Sequence, residues 1–331
     1  MRLKEPIAVR TQQWPDETEP LVSIACLTYN HEQFIRDAIE GFLNQETTFR
    51  VEILIHDDAS SDQTPQKLYE YESEFPNLIS VIYQEENQYS LGNHPEILNL
   101  DRVRGTYIAL CEGDDYWTDP LKLQKQVRFL EAHPDYSACF GGFINYMVPD
   151  NRFGKETILS LNGNEGGFTF TLEEMKQAWM TKLMTAVFRT DVYRSFDLTT
   201  YRYYRDIHLF YHLIKDHKAY YFRENFGVYR IHPEGINSMQ QGEVNSRAAY
   251  NCYRELHEQN HDEFTRLMRL KSTLGFFNYS LYNDVKGMSM KDKMLLYFEA
   301  VPLVRNFTEL GWLVTAFVER RMKEVIKSGF R

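Results

Sequence analysis

Between residues 21 and 146, five short apolar runs alternate with amphipathic stretches, and this rhythm restricts the fold more than any other feature of the chain. Leu21–Thr28, Val51–His56, Leu78–Tyr83, Thr106–Cys111 and Tyr136–Tyr146 are rich in β-branched and aromatic residues and read as buried strands. After the first, Phe34, Ile35, Ala38, Ile39 and Phe42 recur at helical spacing, with Asn30 as the expected cap. Leu68, Tyr71 and Phe75 mark a second helix, opened by Ser60, Ser61 and Asp62. Glu96–Leu100 reads as a short third helix, and Asp119-Pro120 opens a fourth by Asp at the cap and Pro at the first turn. Such alternation predicts an α/β fold, a mainly parallel sheet with flanking helices. Ligands of such sheets bind beyond the carboxyl ends of the strands.

Three polar clusters fall at those ends. They are Thr28-Tyr29-Asn30, Asp57-Asp58 and Glu112-Gly113-Asp114-Asp115. Far apart in sequence, they are expected to converge in space. Acids at the end of a core strand are costly unless something pairs with them. A divalent cation carrying a phosphorylated ligand is a natural partner, because hard cations take carboxylate oxygens. A solvated turn with a helix cap is the plainer reading of the acidic cluster taken alone.

Bulk properties narrow the field. The chain has 331 residues and a net charge of −10, which argues against a nucleic-acid binder. Aromatics are plentiful (22 Phe, 22 Tyr, 4 Trp), which suits a core and also a sugar-binding cleft. Met1–Pro20 is polar, without the apolar stretch of a signal peptide, and no apolar run reaches membrane-spanning length. Cys26, Cys111, Cys139 and Cys252 form no Cys-x-x-Cys pair and read as buried free thiols in a reducing, cytoplasmic setting. No phosphate-binding Gly-x-x-x-x-Gly-Lys loop, dinucleotide-binding glycine turn, nucleophile elbow or His-Glu-x-x-His is present.

Further along, Met147–Gly167 is polar and Gly/Asn-rich and reads as a lid loop. Thr185–Arg189 reads as a strand, Tyr203–Asp216 as a helix and Ala219–Tyr229 as a strand. From about Asn245 onward the pattern is all-helical, and that tail is roughly +4. Its last helix sets Leu310, Leu313, Val314, Phe317 and Val318 on one face, followed by Arg320, Arg321, Lys323 and Lys327. The pattern fits a core-packing helix or contact with an anionic membrane surface.

The motifs Leu21-Val-Ser-Ile-Ala-Cys-Leu-Thr-Tyr-Asn30, Asp57-Asp-Ala-Ser-Ser-Asp62 and Glu112-Gly-Asp-Asp115 resemble, in order, those of the family 2 glycosyltransferases of bacterial surface-glycan synthesis. The resemblance covers about residues 20–235. It implies a GT-A fold, Rossmann-like, with a helical C-terminal appendage. It also implies that Thr28 and Asn30 line the nucleotide pocket and that Asp58 accepts a hydrogen bond from the base, uracil favoured. Asp57 and Asp62 are then structural. The acidic turn matches the family's Asp-x-Asp motif, with Glu112 in place of the first Asp. Asp114 is the implied ligand of Mn²⁺ or Mg²⁺, and Glu112 touches the ribose or reaches the metal through water. Asp115 orients the acceptor or caps the next helix, and Trp117 packs near the sugar or in the core. Asp206, in Tyr203-Tyr-Arg-Asp-Ile-His208, matches the general base of inverting transfer, although Arg205 stands where an acid is usual; His208 is the alternative. Val228-Tyr-Arg-Ile-His232 resembles a late Tyr-Arg-x-His segment, implying that His232 completes the metal shell and that Arg230 clamps phosphate.

The expected layout is an extension over 1–20, a GT-A domain over 21–240 and a helical region over 241–331. The expected activity is inverting transfer from a UDP-sugar to a glycan or lipid-linked glycan, with the chain cytoplasmic or peripheral at the inner membrane face. A sugar nucleotidyltransferase is the first rival, but it needs a Gly-rich triphosphate loop that Thr28–Gln33 does not supply. The second is a non-catalytic nucleotide- or glycan-binding relative, disfavoured by the presence of both the acidic turn and Asp206.

Overall fold

A computed structural model describes residues 1–158, 166–176, 181–233, 235, 242–283, 285 and 287–316. The chain divides into two compact units. The first comprises Met1–Thr200 and Asp206–Pro233, the second Tyr201–Arg205 and Glu234–Arg331.

In chain order the first unit begins with β1 (Ile7–Ala8), β2 (Val22–Thr28), α1 (Ile35–Leu43), β3 (Glu46–Thr47), β4 (Val51–Asp57), α2 (Thr64–Glu74), β5 (Ile79–Tyr83), α3 (Pro95–Leu100) and β6 (Tyr107–Leu110). It continues with β7 (Tyr116–Trp117), α4 (Lys122–Ala132), β8 (Tyr136–Met147), β9 (Arg152–Thr157), β10 (Gly167–Phe170), α5 (Leu172–Met175), β11 (Val187–Arg189), α6 (Thr190–Tyr193), α7 (Asp206–Ile214) and β12 (Lys218–Ile231). β1 pairs with β3, so the N-terminal residues join the first unit.

The main sheet runs β10-β12-β8-β11-β6-β2-β4-β5, with β7 on β12 and β9 on β8. β6, β2, β4 and β5 are mutually parallel, as are β8 and β12. β11 is antiparallel to both β6 and β8 and joins the two parallel groups. Every residue of β4 is buried, including Glu52, His56 and Asp57, and its apolar centre Ile53-Leu54-Ile55 is what reads as a core strand. β2 lies between β4 and β6, so the chain leaves it in opposite directions and a crevice opens at its carboxyl end. Ile35, Ala38, Ile39, Phe42 and Leu43 form the buried stripe of α1, and α3 packs on β2 and β4. The core gathers these with Val22, Ile24, Ile53, Ile55, Leu123 and Val127. All four cysteines are buried and free.

Several local expectations change. Asn30 does not cap α1: it adopts φ 55°, and the helix begins five residues later at Ile35. Asp119 accepts the Leu121 N–H at 2.9 Å, so α4 starts only at Lys122. Residues 152–157 of the expected lid loop form β9, antiparallel to β8; its polar sequence reflects a largely exposed strand. The Gly/Asn-rich run at 162–165 lies outside the described residues. The helix expected from Tyr203 begins at Asp206.

The second unit contains α8 (Gly242–Asn260), α9 (Glu263–Tyr282) and α10 (Met290–Ala300), with residues 307–316 also helical. Tyr250, Leu270, Leu274, Phe277, Leu296, Ala300, Leu313 and Ala316 share its core. Glu309 and Arg266 form a buried, two-pronged ion pair at 2.7 and 3.0 Å. The apolar face expected on the last helix is split, because Leu313 is buried while Leu310 and Val314 are exposed. Phe317, Val318, Arg320, Arg321, Lys323 and Lys327 lie outside the described residues. No described helix is long and apolar enough to cross a membrane.

Candidate functional site

The carboxyl ends of β2, β4 and β6 are stitched together by short polar contacts. The Asn30 N–H donates to Ser60 Oγ at 2.8 Å, and Asn30 Oδ1 accepts the Ser61 N–H at 2.8 Å. The Glu32 N–H donates to Asp62 at 2.9 Å, and the Asp58 N–H donates to the Thr28 carbonyl at 3.0 Å. Asn30 is thus a brace between two loops, and its left-handed backbone is the cost of aiming its amide across the gap. Asp62 also accepts the Thr64 N–H and starts α2, which holds its carboxyl below the ordinary range despite burial. Thr28 is fully buried, and its hydroxyl has no partner among the described residues.

Asp58 is almost fully buried. Its oxygens accept the N–H groups of Gln88 (2.8 Å) and Tyr89 (3.1 Å), and its carbonyl accepts the Asn87 amide (3.0 Å). The carboxylate expected to read a base therefore also holds the 87–89 loop. Asp57 accepts the Ser60 hydroxyl, yet burial still pushes its carboxyl up.

The acidic turn follows β6. The Gly113 N–H donates to the Leu27 carbonyl at 2.9 Å, tying the turn to β2. A Cβ on Gly113 would lie 2.7 Å from Thr28 Oγ1 and 3.0 Å from His31 Nδ1, so only glycine fits that approach. The carboxylates of Glu112, Asp114 and Asp115 come within 4.8 Å of one another. Asp114 Oδ2 lies 3.0 Å from His232 Nε2 and 3.8 Å from His31 Nε2. Burial works to raise Asp114, but the two imidazoles outweigh it and hold the carboxyl below its ordinary value. Glu112 and Asp115 are pushed well up, by burial first and then by the Asp114 charge. Mutual repulsion among these enclosed acids could be offset by a cation, and oxygen donors with an imidazole are a set that hard divalent ions accept. Asp114, His232 and His31 are the residues best placed to hold one, with Glu112 beside them.

Arg230 is buried and fully engaged. Its N–H donates to Asp115 at 2.8 Å, and its guanidinium donates to the Asp114 carbonyl at 2.9 Å and to Asp37. The same group stacks on Tyr116 and Phe34, with 4.4 and 5.0 Å to the ring centroids. It therefore holds the acidic turn in shape. Asp115 is buried and accepts the Arg230 backbone N–H, so it is part of the same bonded turn. Trp117 is also core: it donates to the Met184 carbonyl at 2.7 Å and packs edge-on against Phe42.

Asp206 opens α7, where its charge acts on Glu112 and Glu96. Glu96, on α3, is pushed up to about 7 by burial, then by Asp206 and Asp58. The acidic turn, the Asp58 loop and Asp206 thus meet in one electrostatic neighbourhood. His208 is fully buried in α7. Three residues that sequence reasoning missed join this neighbourhood: His31, Glu96 and Lys182. Lys182 Nζ lies 3.8 Å from the Tyr229 ring centroid, and its charge acts to lower Glu112 and Asp115. The sequence signal for His31 was its place directly after Asn30; Glu96 and Lys182 carry none.

Comparison with known proteins places this geometry in context. The family described as "Glycosyl transferase family 2" matches residues 23–204, more than half of the chain. An uncharacterized protein of Mycobacterium tuberculosis is 48% identical over 119 residues, 36% of this chain and 34% of its own length. The putative teichuronic acid biosynthesis glycosyltransferase TuaG of Bacillus subtilis is 32% identical over 130 residues, 39% of this chain and 48% of TuaG. The chain thus spans about a third to a half of the length of these curated relatives. Among solved structures, S. aureus TarS 1-349 in complex with UDP-GlcNAc has a TM-score of 0.63 at 16% identity, covering 93% of this chain and 92% of TarS 1-349. The mannosyltransferase PcManGT of Pyrobaculum calidifontis, in complex with GDP-Man and Mn²⁺, has a TM-score of 0.51 at 14% identity, covering 94% and 90%. At such identities the likeness concerns the fold, which is the GT-A fold expected from the sequence.

Proposed function

The chain belongs to glycosyl transferase family 2, and on that footing we propose that it is an inverting, metal-dependent glycosyltransferase. Its donor is a nucleotide-diphosphate sugar, with UDP as the favoured carrier. Its acceptor is a glycan or lipid-linked glycan of a bacterial surface polysaccharide, met at the cytoplasmic face of the membrane. The names of TuaG and TarS, and the nucleotide sugars held by TarS and PcManGT, support this reading.

The observation that carries it is the convergence of His232 and His31 on Asp114, inside a turn whose other acids are pushed up by the same charge. A divalent ion held by Asp114 and His232 would supply positive charge to the diphosphate as it departs. The strand-end braces of Asn30, Ser60 and Asp62 keep the nucleotide crevice formed before a ligand arrives. Asp206 accepts the proton of the acceptor hydroxyl. As it does so, the new bond to the anomeric carbon forms in line with the one that breaks to the diphosphate. The protein then has an acid-rich neighbourhood with a division of labour, in which Asp114 stays charged and Asp206 is the base.

The test is transfer and hydrolysis with UDP-, GDP- and dTDP-sugars, with and without Mn²⁺ and with a chelator. Asp114→Ala and Asp206→Asn are each expected to reduce turnover about a hundredfold or more. Wild-type turnover in either variant would remove that residue from the mechanism. Full activity in chelator would remove the metal.

A further inference from the structure

The helix over residues 307–316 is patterned inside out. Its one charged side chain, Glu309, points inward and is consumed by Arg266. Leu313 and Ala316 face the same interior. The opposite side carries Phe307, Leu310 and Val314 at i, i+3 and i+7, with Thr308, Gly311 and Thr315 between them and no charge at all. Phe307 is 92% exposed, and Leu310, Trp312 and Val314 are exposed as well. α10 shares only part of the arrangement: Leu296 and Ala300 are buried and Leu295, Phe298 and Val301 just beyond are exposed, Phe298 by 60%, while Lys291 and Asp292 of its first turn also face water. A helix facing water puts its charges outward. The helix over 307–316 does the reverse, and with Met290, Leu295, Phe298 and Val301 earlier in the unit it exposes a set of large apolar side chains.

We infer that this face of the second unit docks on an anionic phospholipid surface, lying in the interface and not crossing it. The charge of the chain selects that occupant. The whole sequence is −10, yet residues 317–331, which follow the apolar face directly, carry Arg320, Arg321, Lys323, Lys327 and Arg331 against Glu319 and Glu324. A basic segment next in sequence to an apolar helical face is the combination that binds acidic bilayers. Trp312, with Lys271 Nζ at 5.7 Å from its ring, supplies the aromatic and cation pairing suited to the headgroup level. No described helix has the length and hydropathy to span. The inference stands apart from the catalytic reading, although a lipid-linked acceptor would be presented at the same surface.

The experiment is cosedimentation of the full chain with vesicles of phosphatidylcholine alone, or with about one-third phosphatidylglycerol, at low and high salt. Two variants accompany it. One joins Phe307→Ser, Leu310→Ser and Val314→Ser, all exposed positions; the other joins Arg320→Glu, Arg321→Glu and Lys323→Glu. Wild type is expected to partition onto the anionic vesicles at least roughly tenfold better than onto neutral ones, and each variant to lose roughly tenfold or more. Circular dichroism and UDP binding, unchanged, separate the loss from misfolding; should the serine variant fail to fold, the charge-reversal variant decides. Wild type remaining in the supernatant with both vesicle types at low salt overturns the inference. So does vesicle binding unaffected by the variants, or a wild-type dimer that the serine variant converts to monomer without changing vesicle binding. An inactive Asp114→Ala chain that still binds vesicles leaves the inference intact while the catalytic reading is judged separately.

Discussion

Replacing Lys122 with methionine should stabilise the protein, and the gain should shrink as pH rises. Lys122 sits in the buried stripe of α4, fully enclosed, with no hydrogen-bond partner for its amine among the described residues. The amine lies over the rings of Trp117 and Phe226, 4.3 and 5.8 Å from their centroids. Burial pushes the amine down from 10.5 to about 7, against small opposing pulls from Cys111, Cys139 and Asp119. The unfolded chain keeps the ordinary value, so between pH 7 and 10.5 it holds a proton that the folded chain has released. Folded stability therefore climbs with pH across that window by about 1.4 kcal/mol per pH unit and is flat below it. Below pH 7 the lysine costs the fold up to about 5 kcal/mol relative to its neutral form, an upper bound because water penetration softens burial. Methionine keeps the length and the apolar packing and has nothing to titrate. Urea denaturation of both proteins at pH 7, 8 and 9 isolates the effect. Buried Cys111 and Cys139 titrate alike in both and cancel in the difference. The variant-minus-wild-type stability should be positive at pH 7 and fall by about 2–3 kcal/mol by pH 9. A difference that stays constant over this range would refute the assignment of a neutral buried amine.

Other consequences are equally open to measurement. Gly113→Ala must displace Thr28 or the acidic turn, since the new Cβ would meet Thr28 at 2.7 and 2.8 Å. It should cost about 1–3 kcal/mol and weaken UDP binding in calorimetry, and unchanged binding would contradict the close approach. Asn99→Leu removes the amide that donates to the carbonyls of Cys26 (3.1 Å) and Leu54 (3.0 Å), joining α3 to β2 and β4. A loss of about 2–3 kcal/mol in chemical denaturation is expected. Lys182→Met should lower kcat about tenfold while Lys182→Arg retains most of it, because a cation stacked on Tyr229 faces the acids of the turn. Equal kinetics in all three proteins would assign Lys182 to packing alone.

The parallel strands were legible because strands buried on both faces are rich in apolar residues on both sides, as Val22, Ile24, Ala25 and Cys26 of β2 and Val51, Ile53, Leu54 and Ile55 of β4 show. The helix starts were less so: Asn30 has the chemistry of a cap but is spent bracing Ser60 and Ser61. The acidic turn and His232 could be named from their motifs. Arg230 could be named too, but not its ion pair, since its partner Asp37 looks like any surface acid of α1. Glu96 and Lys182 lay beyond sequence reasoning because each sits in an element with no motif and acquires its neighbours only through the sheet. The exposed apolar face of the second unit was half legible: the helical spacing was visible, whereas the inward turn of Glu309 required its partner Arg266, 43 residues earlier.

The bonds that fix the acidic turn also set an order of assembly during synthesis. Strands β2, β4, β5 and β6, with α1 to α4, are complete within the first 132 residues. The turn itself is held by Arg230 and His232, which lie 115 to 118 residues beyond their partners Asp115 and Asp114. At about 5–20 residues per second, a nascent chain therefore carries its nucleotide crevice on the order of ten seconds before its acidic turn is locked. A ribosome-stalled chain ending near residue 200 would be a half-built enzyme, with its strand-end crevice formed and its acidic turn still unbraced.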